Sequence, residues 1–327
     1  TTDHAEYETF WKTDGTVGVR DRKGLSDIGG MTHDMVNVLN LASTRENPRT
    51  TACTHIVTDS GAGLFSNMMG VLAAMAKYGT NIQVQWKNTM YLAPNSENVW
   101  TQYFEPVSDC VVDALTKTIR MSGWDHGFAD PEAALAPMAQ RIRLNSDTQT
   151  EFNKSWTWRG QASLGVHIRS TDRATDGEGI KQHLLVVPTQ RYVQHIQRYL
   201  DEHANTKTIF VASDSQESLD ALVQTFGGKI RALDVVQSTD TLSIHHGGLD
   251  APFATGKSAV LDAWLLATTD FKLLSASQLS LTAVLKQGIH TPFFLLNEED
   301  GYQRIRTMFP SRPDNVVGAF PDRSRVS

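Results

Sequence analysis

The chain has 327 residues, 40% hydrophobic and 20% charged, so it can bury a large core, and its size favours two domains. A formal net charge of −6 argues against a general nucleic-acid or anionic-membrane binder, because such partners need a positive surface field; any anion must be bound locally. No apolar run is long enough to cross a bilayer and "TTDHAEYETF" has no signal-peptide character, so the expected location is the cytoplasm.

In chain order, "THIVT", the glycine loop "DSGAG", "LFSNMMGVLAAMAKY" and "NIQVQW" read as strand, loop, helix and strand, a βαβ unit within residues 54–86. Two further helices are expected, "VVDALTKTIRM" and "PEAALAPMAQRIRLN", the second opening with proline behind an aspartate cap. The polar tract "SDTQTEFNKSWTWRG" reads as an irregular join. Cys53 and Cys110 lie in apolar segments with no metal-site or redox-pair spacing and are expected to be buried free thiols.

A second α/β series follows: strand "SLGVHIR", helix "TQRYVQHIQRYLDEH", strand "TIFVAS", helix "SQESLDALVQTF" and short strand "KIRALD". After a Gly/His-rich loop come helix "KSAVLDAWLLATTD", strand "FKLLSA" and helix "QLSLTAVLKQG". This is the period of a doubly wound sheet. Such sheets bind ligands beyond the carboxyl ends of their strands, where "HIRSTD", "SDS" and "SASQ" fall. Residues 1–155 are therefore expected to form an N-terminal α/β domain carrying the Gly-rich loop, and residues 156–327 a C-terminal nucleotide-binding domain.

Side chains alternate along a strand, so His167 and Arg169 face the same way at the top of the sheet. Arg169 suits a diphosphate through paired charge-assisted bonds, with His167 meeting a base or sugar; an ion pair from Arg169 to Asp172 or Asp176 is the plainer alternative. Asp262 interrupts the apolar "AVLDAWLLA". A buried carboxylate needs a partner, and a guanine edge with adjacent N–H groups is one, a solvated helix-start aspartate the other reading. Ser275, Ser277 and Gln278 stand between a strand and a helix, where free N–H groups attract phosphate or Ser277 simply caps the helix. In "DSGAGLFSN", Ser66 replaces the third glycine of a dinucleotide fingerprint. Gly61 and Gly63 permit close backbone approach to a ligand beside Asn67, or only a tight turn. "APFATGKSAV" ends like a P-loop, but Ala251 stands where the first glycine belongs. Adjacent His245 and His246 lack a third ligand and no Asp-x-Asp pair occurs, so no metal and no cofactor are expected.

"GVHIRSTDR", "IFVASDS", "VLDAWLLATTDF" and "SASQ", in this order and spacing, resemble the α1,6-fucosyltransferase and nodulation fucosyltransferase group and its protein O-fucosyltransferase relatives. The resemblance covers the second half and extends to "GAGLFSNMMGVLAAMAKYG" and to "NVWTQYFEPV", similar to a segment of bacterial members. It implies a GT-B fold, two Rossmann-like α/β domains facing a cleft with the N-terminal one on the acceptor side. It also implies GDP-fucose or a related GDP-sugar as donor, a glycan or glycoside acceptor, inversion at the anomeric carbon and no metal. By motif, His167 and Asp262 correspond to guanine contacts, Arg169 to the β-phosphate arginine, and Ser277 with Gln278 to phosphate or sugar contacts. The second arginine of the α1,6 branch is Ser170 here. The glutamate that branch uses as base falls at Gly177, between Asp176 and Glu178, which are the candidate bases. A non-catalytic nucleotide- or glycan-binding module and a P-loop phosphotransferase are the competing expectations.

Overall fold

The computed structural model describes residues 7–11, 17–21, 51–87, 91–93, 96–123, 127–170, 186–233, 252–289 and 292–296. The chain forms two compact units, residues 1–51 and 52–327. In the first, strands β1 (Tyr7–Trp11) and β2 (Val17–Asp21) pair antiparallel, with Tyr7 opposite Asp21 and Trp11 opposite Val17.

Among its described residues the second unit holds two all-parallel sheets. In the smaller, β3 (His55–Thr58) lies between β4 (Ile82–Gln85) and β5 (Lys117–Arg120). In the larger, β6 (Ser163–Ile168), β7 (Thr208–Ser213), β8 (Ile230–Arg231), β9 (Phe271–Leu274) and β10 (Phe293–Leu295) run in the order β10-β9-β6-β7-β8. Central β6 is buried at every position, as expected of a parallel strand covered on both faces. The α/β class read from the sequence is thus the one observed.

Eight α-helices are described: α1 (Leu64–Tyr78), α2 (Val99–Tyr103), α3 (Pro131–Arg141), α4 (Ser146–Ser155), α5 (Thr189–Glu202), α6 (Gln216–Phe226), α7 (Pro252–Ala267) and α8 (Gln278–Gln287). Helix α1 is apolar almost all round because it is packed on most sides: Met68, Met69 and Leu72 share one core with Trp264 and Leu265 of α7 and Leu281, Val284 and Leu285 of α8. Gly70 is needed there, since a Cβ would approach the Met121 carbonyl oxygen to 2.3 Å. The "NVWTQYFEPV" segment forms α2, whose Tyr103 ring stacks on Phe253 of α7 with centroids 5.6 Å apart. Tyr103 Oη also lies 3.0 Å from the Tyr91 carbonyl and 3.2 Å from that of Phe253.

Three expectations are corrected. Residues 111–121 are not a helix. Asp113 Oδ1 accepts from the Leu115 and Thr116 N–H groups, making a turn, and the β-branched Thr118 and Ile119 then pair with β3 as part of β5. The tract expected to be irregular contains α4, capped by Asn145, whose side chain accepts from the Thr148 N–H. Cys53 and Cys110 are not free thiols but a disulfide, 57 residues apart in sequence with Cα atoms 4.9 Å apart. A bridge between Ala52 and Val111 beyond the amino ends of β3 and β5 brings them together.

Candidate functional site

A cavity of about 300 Å³ lies where the carboxyl ends of strands from both parallel sheets meet, the position at which open parallel sheets take their ligands. Its wall includes His167, Arg169, Asp262, Ser277, Gln278 and Gly63, so six of the residues singled out in the sequence share one enclosure.

His167 sits one residue before the end of β6 and is only 4% exposed. Its Nδ1 lies 2.7 Å from Ser280 Oγ, 3.3 Å from Ser275 Oγ and 3.5 Å from Ser277 Oγ. Arg169 emerges just beyond the strand, and its Nε is 3.6 Å from Asp214 Oδ2. Asp214, just past β7, also accepts from the Ser170 N–H at 2.9 Å and from the Ser170 hydroxyl at 3.2 Å. The guanidinium is therefore oriented by a buried carboxylate at the end of the neighbouring strand. Asp172 and Asp176, its alternative partners in the sequence reading, lie outside the described residues.

Asp262 and Ser258 are one helical turn apart on α7 and both line the cavity, with Thr255 and Ala259 beside them. Burial pushes the Asp262 carboxyl well above the usual carboxylate range. Asp262 makes no hydrogen bond or ion pair among the described residues, and the buried Ser258 Oγ and Gln278 Oε1 have no hydrogen-bond partner among them either. Buried polar atoms without partners cost stability, so these two atoms on one wall, beside the Asp262 carboxyl, suit a polar ligand.

Two helix N-termini border the same space. Helix α8 starts at Ser277, whose Oγ accepts from the Ser280 N–H at 3.0 Å. Helix α1 starts at Gly63, which offers no side-chain cap, and its first turn, Leu64 to Ser66, forms part of the wall. Neither first turn contains an acidic residue, so both dipoles present their positive ends uncompensated by carboxylates of their own. Phe65, Tyr91, Leu233 and Leu279 add apolar surface. Chemically, the cavity joins a corner of Arg169, paired with Asp214, and two helix N-termini, suited to phosphate, with a helix-borne carboxyl suited to paired N–H donors.

Other candidate residues stand elsewhere. Ser275 is behind His167, against its Nδ1. Asn67 is engaged inside the glycine loop: its Oδ1 accepts from the Ser60 N–H and hydroxyl, and its Nδ2 donates to the Ala62 carbonyl. Gly61 has φ +77°, in the left-handed region that favours glycine, and Arg120 Nη2 donates to the neighbouring Ser60 carbonyl at 2.6 Å. Gly61 and Asn67 thus shape the loop leading to Gly63 and are not part of the cavity wall. Asp176 and Glu178 lie outside the described residues, as do His245 and His246. Among the described residues no group of three or more His, Cys, Asp or Glu side chains could hold a metal ion, and no helix is long and apolar enough to cross a membrane.

The P-loop reading is overturned. Gly256, Lys257 and Ser258 lie inside α7, Lys257 Nζ pairs with Glu151 at 2.5 Å, and a Cβ on Gly256 would meet Tyr103 Oη at 2.3 Å. No loop of free amides exists there to cradle a phosphate. The sequence reading also passed over Asp214, Ser258 and Ser280. Asp214 was visible as the charged centre of "SDS" at a strand end, and Ser258 as the residue four before Asp262; Ser280 carried no signal before the fold set it under His167.

No protein-family model and no curated protein sequence matches the chain. Among solved structures it is similar to NodZ α-1,6-fucosyltransferase co-crystallized with GDP, at 15% identity over 72% of this chain and 93% of that one, with a TM-score of 0.49. It is also similar to fucosyltransferase NodZ from Bradyrhizobium, at 15% identity over 72% and 94%, with a TM-score of 0.49. Similarity to POFUT1 in complex with GDP is at 11% identity over 76% and 100%, with a TM-score of 0.45.

Proposed function

We propose that this chain is a glycosyltransferase that moves fucose, or a related sugar, from a GDP-sugar to a hydroxyl of a glycan or small glycoside, with inversion and without metal. The observation that carries the reading is the single cavity lined by His167, Arg169 and Asp262 together with the starts of α1 and α8. Arg169 and the helix ends meet the diphosphate, while the Asp262 carboxylate accepts from the adjacent N–H groups of guanine.

Breaking the bond from the anomeric carbon to the diphosphate places positive charge on the sugar and negative charge on the leaving phosphate. Arg169, already oriented by Asp214, and the two helix ends stabilise that leaving charge as preorganised donors. The acceptor hydroxyl loses its proton late in the step, to Asp176 or Glu178 in this reading. The Cys53–Cys110 disulfide supports an oxidising compartment in place of the cytoplasm expected from the sequence.

A thermal-shift screen of GDP, UDP, ADP and their sugars tests the donor, because selective binding to the folded state raises its melting temperature. GDP and GDP-sugars are expected to stabilise the protein most, and GDP-fucose to release GDP when acceptor is supplied. Stabilisation by GDP with no release from any GDP-sugar would favour the binding module, and no response to guanine nucleotides would reject the reading.

A further inference from the structure

The serines around His167 determine which of its nitrogens carries a proton. Ser280 Oγ is 2.6 Å from the Ser275 carbonyl oxygen, which can only accept, so the one hydroxyl proton of Ser280 points there. The same Oγ is 2.7 Å from His167 Nδ1. With its proton committed, Ser280 can only accept at that contact, and the ring must donate. The Ser280 position is itself held by the start of α8: its N–H donates to Ser277 Oγ, and the Ser275 N–H donates to the His167 carbonyl at 3.0 Å. Ser275 Oγ and Ser277 Oγ are farther from Nδ1 and leave the short contact with Ser280 dominant.

We infer that Ser280 is a positioning residue that holds the proton of the neutral His167 ring on Nδ1, so that the neutral ring meets a partner at Nε2 as a hydrogen-bond acceptor. For the ligand this inference rests on the nucleotide reading above. A phosphate oxygen carries only lone pairs and cannot bond to an unprotonated Nε2, whereas a ribose hydroxyl or a base N–H can.

The test is the ¹⁵N spectrum of His167 in the ligand-free protein, at a pH where the ring is neutral. The expected result is Nδ1 at the protonated position and Nε2 at the unprotonated one, and in Ser280→Ala a shift of both toward a tautomer mixture. GDP binding by that variant should weaken roughly three- to tenfold, the effect of one lost neutral hydrogen bond. A wild-type ring protonated at Nε2 overturns the inference, and this spectrum decides even where Ser280→Ala does not fold. Failure of wild-type protein to bind GDP would defeat the nucleotide reading separately, because the tautomer is read without ligand.

Discussion

The two parallel sheets meet the cavity with different equipment. The five-stranded sheet brings side-chain chemistry: His167 and Arg169 from β6, Asp214 from the end of β7 and the Ser277 start of α8 after β9, with Asp262 and Ser258 from the helix entering β9. The three-stranded sheet brings shape, through the Gly63 to Ser66 turn of α1 and the Tyr91 ring. The polar Ser60 and Asn67 of the loop before α1 bond to each other, outside the cavity wall. The polar side chains that line the cavity thus come mostly from the second half of the chain, while the first half closes the space.

Substitutions should separate these roles. The largest effect is expected from Arg169→Ala, which in the proposed reaction removes a donor to the leaving phosphate and should lower turnover by about 10²–10³. Near-normal transfer by that variant would take Arg169 out of the chemistry. Next comes the shape-giving sheet: replacing both Cys53 and Cys110 with serine opens a 57-residue loop and should cost about 4 kcal/mol in a chain-entropy estimate. Denaturant titration measures that loss, and GDP affinity of the folded fraction should stay unchanged, since the bridge lies at the amino ends of the strands.

Asp262→Asn is expected to weaken GDP binding about tenfold to a hundredfold through loss of a charged acceptor. The ligand-free variant should nevertheless melt higher near neutral pH. An acid whose folded pKa lies above its unfolded value loses folding stability as pH rises between the two, and asparagine removes that penalty. GDP favours the ionised carboxylate, so wild-type affinity should fall as pH is lowered through the raised pKa; pH-independent calorimetric binding would contradict this.

The smallest effect concerns Lys272, fully buried at the amino end of β9, with Nζ bonded to the Thr269 carbonyl at 2.8 Å and to Gln287 Oε1. Burial pushes its pKa down to about 7, partly opposed by Asp270. The unfolded chain therefore binds a proton that the folded one lacks between about pH 7 and the ordinary lysine value of 10.5, and stability should rise with pH across that window. Lys272→Met should flatten the rise, with little change in GDP binding.

The same contrast explains what could be read from residues alone. Strands β6, β7 and β9, helices α1, α5 and α6, and the cavity group His167, Arg169 and Asp262 were legible because local period and strand-end position fix them. Residues 111–121 misled because their apolar spacing fits a helix, whereas pairing with β3 is a long-range fact. Helix α4 has only Thr148 and Phe152 buried, too little pattern to see. The disulfide depends on a bridge between segments far apart in sequence, and Ser280 on the seating of a helix end beneath a strand.

A crystal structure of the protein with GDP tests the central claim most directly. The account predicts diphosphate oxygens within hydrogen-bond distance of Arg169 and of the helix start at Ser277, with the guanine edge against Asp262. GDP bound outside this cavity, or inside it with its phosphates away from Arg169, would contradict it.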